Sequence, residues 1–85
     1  MVEFSYVIKD PAGIHARPAG QLVKEAAKFA SGIKIAKGEK RGDLKRIFSV
    51  MGLGAKCGET VTISVEGPDE EAAARAVEEF LKANM

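Results

Sequence analysis

A chain of 85 residues can form one small domain with a thin core, and a single domain over residues 1–85 is expected. Hydrophobic residues make up 46% and charged residues 29%, an ordinary balance for a soluble globular chain. With 13 Lys and Arg against 12 Asp and Glu the net charge is +1, which argues against nucleic acid or an anionic membrane surface as a partner. The one cysteine, Cys57, excludes an internal disulfide and fits a reducing cytoplasm. One histidine and one distant cysteine lack the spacing of a metal site, so neither metal nor cofactor is expected. Met1-Val2-Glu3-Phe4 has no basic region leading into an apolar run, so no signal peptide or membrane insertion is expected either.

From Val2 to Ile8 the chain alternates, with Phe4, Tyr6 and Ile8 set against Glu3, Ser5 and Val7. This is a strand with the first set facing a core. Asp10-Pro11-Ala12-Gly13 reads as a turn. From Ala16 to about Phe29, Ala19, Leu22, Val23, Ala26 and Ala27 keep helical spacing, and Ser31-Gly32 reads as the stop. Ile33 and Ile35 alternate with Lys34 and Ala36 in a second strand, and Lys37-Gly38-Glu39-Lys40 predicts a hairpin turn. Residues 40–44 form a weak, polar third strand, with the charges that guard a sheet edge. Lys45 to Leu53 reads as a short helix. Thr60 to Glu66 is the clearest strand, with Val61, Ile63 and Val65 inward. Asp69 is a favourable N-cap for a last helix whose stripe is Ala73, Ala76, Val77, Phe80 and Leu81. The order βαββαβα predicts an α+β domain, with a four-stranded, mostly antiparallel sheet and helices on one face.

Gly13-Ile14-His15-Ala16-Arg17-Pro18-Ala19 carries the chemistry. Pro18 suits a first helical turn, since its missing N–H needs no partner there. His15 is then expected at the cap, beside the unpaired N–H groups of Ala16 and Arg17. Such an end attracts anions, phosphate above all, and its positive potential keeps more of the imidazole neutral and nucleophilic. The pattern is that of a phosphoryl-accepting histidine, with the Ala16 and Arg17 amides and the Arg17 guanidinium holding the transferred oxygens.

The chain resembles the HPr family, the histidine-containing phosphocarriers of the bacterial phosphoenolpyruvate-dependent sugar phosphotransferase system. The resemblance spans essentially the whole chain. It rests on residues 13–19, Leu44-Lys45 leading into Ile47-Phe48-Ser49-Val50-Met51, Leu53-Gly54, Gly58 before Val61-Thr62-Ile63, and Gly67 with Asp69-Glu70. It implies an open-faced β-sandwich with three helices on a four-stranded sheet. It also implies a relay: enzyme I, charged by phosphoenolpyruvate, passes a phosphoryl group to Nδ1 of His15, and enzyme IIA domains of sugar permeases receive it. Arg17 matches the arginine that neutralises the phosphoryl charge. Ile47, Phe48 and Met51 match the docking face. A short helix cannot bury Ile47, Phe48, Val50, Met51 and Leu53 on one stripe, so Phe48 and Met51 are expected outside and Val50 and Leu53 inside. Lys24, Lys45 and Arg46 are candidates for steering acidic partners. Carriers of this kind are expected to be monomers.

Two positions depart from the family pattern. Position 46 is usually a serine, which in many Gram-positive members is phosphorylated by HPr kinase/phosphorylase. Arg46 cannot take that modification and reverses the sign of its charge. No regulatory serine is therefore expected, and Ser49, one turn on, is out of register for it. Ala12 stands where relatives often have a polar residue, which leaves the amides and Arg17 to do more. Two other functions compete with sugar uptake. One is the same chemistry in a regulatory, nitrogen-type relay or in dihydroxyacetone phosphorylation, which the altered position 46 keeps open. The other is a non-catalytic α/β binding module, for RNA for example; near-zero charge and the lack of surface-strand aromatics speak against it.

Overall fold

Alternation decides the sheet. In the computed structural model, which describes residues 1–14 and 16–85, β1 (Val2–Val7) turns Phe4 and Tyr6 toward the core and Glu3, Ser5 and Val7 to solvent. It pairs antiparallel with β4 (Thr60–Glu66), Phe4 opposite Ile63 and Tyr6 opposite Val61. On the other side of β4 lies β2 (Gly32–Lys37), Ile33 opposite Val65 and Ile35 opposite Ile63. Beyond it, β3 (Lys40–Asp43) closes a hairpin. The order β1-β4-β2-β3 leaves β3 at an edge, as its charges led one to expect, and puts the most apolar strand inside the sheet.

Among the described residues three helices complete the domain: α1 (Ala16–Ala27), α2 (Ile47–Gly52) and α3 (Glu70–Asn84). They cover the face where Ile33, Ile35, Val61, Ile63 and Val65 are fully buried, and add Leu22, Ala26, Val50, Val77 and Leu81 to the same core. Each Val, Ile or Leu buried this way stabilises by about 1.5–3 kcal/mol, which is how so short a chain offsets its ordering entropy. The Tyr6 hydroxyl donates to the Leu81 carbonyl at 2.9 Å and pins α3 to β1.

Helix boundaries differ from the sequence expectation in three places. First, α1 stops at Ala27 rather than near Phe29, and Ala27 itself is exposed. The Lys28 and Phe29 amides tighten onto the carbonyls three residues back, and the next two, of Ala30 and Ser31, go to the Asp69 carboxylate at 3.0 and 2.9 Å. Gly32 therefore opens β2 instead of capping the helix. Second, Asp69 stands at the N-cap position of α3 but its side chain makes no capping bond. Its oxygens also accept from the Ser31 hydroxyl, and its own N–H donates back to that hydroxyl at 3.2 Å. These bonds, the Ser31 hydroxyl first, hold the Asp69 carboxyl below the usual aspartate range. Third, α2 begins at Ile47 rather than Lys45. Asp43 takes the Lys45 N–H on its carboxylate at 2.9 Å and the Arg46 N–H on its carbonyl at 3.0 Å, which keeps both residues out of the helix.

Candidate functional site

The segment leading to residue 15 is gripped from two sides. Where β1 ends, the Ile8 N–H donates to the Glu59 carbonyl at 2.9 Å and its own carbonyl accepts from Gly58 at 2.7 Å. The next two amides, Lys9 and Asp10, both donate to the main-chain oxygen of Met85 at the end of α3. The Asp10 carboxylate accepts the Ala12 N–H at 2.9 Å, and its carbonyl accepts the Gly13 N–H at 2.9 Å, which closes the turn. Gly13 has φ +69°, and a Cβ there would lie 2.5 Å from the Ala55 carbonyl oxygen and 2.9 Å from Lys56 Cα. Only glycine meets both conditions. Ile14 is buried and donates to the same Ala55 oxygen at 3.0 Å. The chain enters α1 at Ala16. The expectation that His15 occupies the cap falls on the residue outside the described ones.

Past that point α1 begins with two exposed residues. In the first turn of α1, Pro18 and Ala19 are buried while Ala16 and Arg17 are exposed. No acidic side chain stands in that turn to compete for its amides. Arg17 lines a hollow of about 290 Å³ with Asp10, Pro18, Gln21 and Asn84.

The support under the loop is a feature the sequence did not reveal. Residues 54–59 form a tight connection in which the Glu59 carboxylate accepts the Lys56 N–H at 2.8 Å and meets Lys37 Nζ at 3.4 Å. The Lys56 amide, with Lys37 adding to it, holds the Glu59 carboxyl below the usual glutamate range. Lys37 also donates to the Gly54 carbonyl at 3.3 Å. This brace presents the Ala55 oxygen to Gly13 and Ile14. Its one visible trace in the sequence is the pair Gly54 and Gly58, both at positive φ. Cys57 is exposed beside the loop, its thiol 3.7 Å from the Lys9 carbonyl.

Two residues before Ala55, α2 has run into Leu53, so the 54–59 brace follows directly on α2. Phe48 is 86% exposed and Met51 38%, while Val50 and Leu53 are buried, as expected. Ile47 behaves differently from its two apolar companions: it packs inward, its Cδ1 3.6 Å from where a Cβ on Gly20 of α1 would be. Lys24 is exposed on α1. The Lys45 ammonium donates to the Phe29 carbonyl at 2.7 Å and so joins the start of α2 to the end of α1. Arg46 is 79% exposed, with Asp43 3.8 Å from its Nε, a surface pair too weak to hold the guanidinium away from a partner.

The comparisons agree with this geometry. The family model for the PTS HPr component phosphorylation site matches residues 2–83. The phosphocarrier protein HPr of Mycoplasma capricolum is 46% identical over 81 residues, 95% of this chain and 91% of that protein. A solved histidine-containing phosphocarrier protein from Mycoplasma superposes with a TM-score of 0.94 at 43% identity, covering 96% of this chain and 93% of that one. HPr from Thermoanaerobacter tengcongensis, solved as a dimer, is similar at 40% identity and a TM-score of 0.78, covering 98% and 95%. By sequence over nearly its whole length and by fold, the chain belongs to the HPr family of phosphocarriers.

Proposed function

We propose that this phosphocarrier receives its phosphoryl group on Nδ1 of His15 from charged enzyme I and passes it to enzyme IIA domains of sugar permeases. The observation that carries this is the loop: every amide from Lys9 to Ile14 that can donate, except where Pro11 has none, has a defined acceptor, so the chain is held up to Ile14 and enters α1 at Ala16. The neutral ring uses its Nδ1 lone pair to attack phosphorus. As that bond forms, the bond from phosphorus to enzyme I breaks and its electron pair returns to the donor; Nε2 keeps its proton throughout. The Ala16 and Arg17 amides and the Arg17 guanidinium then hold the phosphoryl oxygens. A helix end is worth about 0.3–1 kcal/mol to an anion, and a hydrogen bond involving a charged group about 1.5–3 kcal/mol. Transfer onward is the reverse chemistry with a new acceptor, so little of the barrier is lowered by the carrier alone.

The carrier works in the cytoplasm as a monomer that docks successive partners through Phe48 and Met51, with Ile47 supporting them from beneath and Lys24 and Arg46 steering. It needs no nucleic acid, metal or cofactor. No helix among the described residues is long and apolar enough to cross a membrane. A serine-kinase branch is missing: position 46 is Arg, and Ser49 faces β3, its carbonyl oxygen 2.9 Å and its Cβ 3.3 Å from where a Gly42 Cβ would be. Stoichiometric phosphorylation of Ser49 by HPr kinase would contradict this.

A reconstituted relay tests the function. With phosphoenolpyruvate, enzyme I and a IIA domain, label is expected on the IIA domain only when this protein is present; equal labelling without it removes the carrier role. In the same assay, Phe48→Asp is expected to raise the KM for enzyme I strongly, since loss of a central interface aromatic costs about 2 kcal/mol or more. Its melting temperature should hardly change, because the side chain is outside the core. An unchanged KM would place docking elsewhere.

A further inference from the structure

The end of α3 touches the loop that carries the chemistry, although it lies 70 positions beyond His15 in the sequence. Met85 continues the helical pattern, its N–H donating to the Leu81 carbonyl at 2.8 Å. That carbonyl also receives the Tyr6 hydroxyl at 2.9 Å, so the last turn is fixed to β1. Met85 is only 4% exposed and belongs to the hydrophobic core. Its main-chain oxygen accepts the N–H groups of both Lys9 and Asp10. Asn84, just before it, lines the same hollow as Asp10 and Arg17. A buried apolar anchor thus holds a backbone acceptor against the first two residues of the loop.

We propose that Met85 is a positioning residue for phosphoryl transfer: its buried side chain fixes the oxygen that clamps Lys9 and Asp10, and through their turn sets where residue 15 meets an incoming phosphoryl group. The inference rests on the reading of His15 as the acceptor. It follows from two geometric facts. The Lys9 and Asp10 amides share one acceptor, the Met85 oxygen just past α3, so its displacement frees both at once. The docking face on α2 is separate, so partner binding is left intact.

Met85→Ala and Met85→Leu are compared with wild type in charging by enzyme I under steady state. Met85→Ala is expected to lower kcat by roughly tenfold or more, as misplacement of a reacting group does, with KM unchanged within twofold. Met85→Leu refills the anchor site and should restore kcat. Amide hydrogen exchange gives a readout that does not depend on activity: in the wild type, Lys9 and Asp10 should be protected, and in Met85→Ala both should exchange faster. Unchanged kcat in Met85→Ala overturns the proposal. So does a parallel rise in KM and fall in melting temperature that Met85→Leu does not reverse, or unprotected Lys9 and Asp10 amides in the wild type. Failure of the wild type itself to be charged would strike the His15 reading instead, and amide protection would still decide the clamp.

Discussion

His15→Ala should take up no phosphoryl group under conditions in which the wild type is charged to completion by enzyme I and phosphoenolpyruvate. The chain holds no second histidine, so no imidazole can substitute. The amides of Ala16 and Arg17 and the Arg17 guanidinium remain in the variant, but none of them is a nucleophile that can attack phosphorus. The fold should survive, because the loop before residue 15 is secured by the Met85 and Ala55 oxygens, neither of which belongs to that side chain. Intact mass checks this: a gain of one phosphoryl group, lost on brief acid treatment, is expected in the wild type and absent in the variant. An acid-stable gain in His15→Ala would move the chemistry to a hydroxyl and end the histidine reading.

Gly13→Ala is the second large effect, and it separates position from chemistry. Placing a Cβ at φ +69° costs on the order of 1–2 kcal/mol in strain. The new methyl also meets backbone, the Ala55 oxygen at 2.5 Å and Lys56 Cα at 2.9 Å, which cannot swing aside as a side-chain tip would. Overpacking of that kind costs about 1–3 kcal/mol more. Against a total stability of about 5–15 kcal/mol the domain stays folded but melts lower. The loop must retreat from residues 55–56, weakening the Ile14–Ala55 bond that sets the entry to α1. A misplacement near 1 Å costs about a hundredfold in rate, so the charging rate should fall by about that factor with His15 still present. Melting and charging measured on one preparation check it. Unchanged values for both would mean the loop does not press on Ala55.

The contrast between legible and illegible parts follows from range. β4 is bounded by Thr60 and Glu66 as the alternation of Val61, Ile63 and Val65 predicts, because a strand in the middle of a sheet must keep strict period to bury one face. Phe48 was legible outside the core because one helical stripe cannot hold five apolar residues. The end of α1 was not, since the amides of Ala30 and Ser31 are taken by Asp69, on a connection 39 and 38 residues away. The same bonds explain why Asp69, the right residue type for a cap, does not act as one. Gly13, Ala16, Arg17 and Pro18 are close neighbours in the chain, so the tight turn and the helix start at Ala16 could be read directly. The oxygens of Ala55 and Met85 could not, because a backbone acceptor is the same atom in every residue type. That the Lys45 ammonium also reaches the Phe29 carbonyl, and so ties the start of α2 to the end of α1, could not be read either, because that acceptor too is backbone.

The central claim, that the phosphoryl group rests on one nitrogen of one histidine, is met most directly by NMR of the charged, isotope-labelled protein, reading the ring nitrogens and the phosphorus together. A single phosphoryl group bonded to Nδ1 of His15, with Nε2 unmodified, is the predicted result. A phosphoryl group on Nε2, on a hydroxyl, or on no residue at all would contradict it.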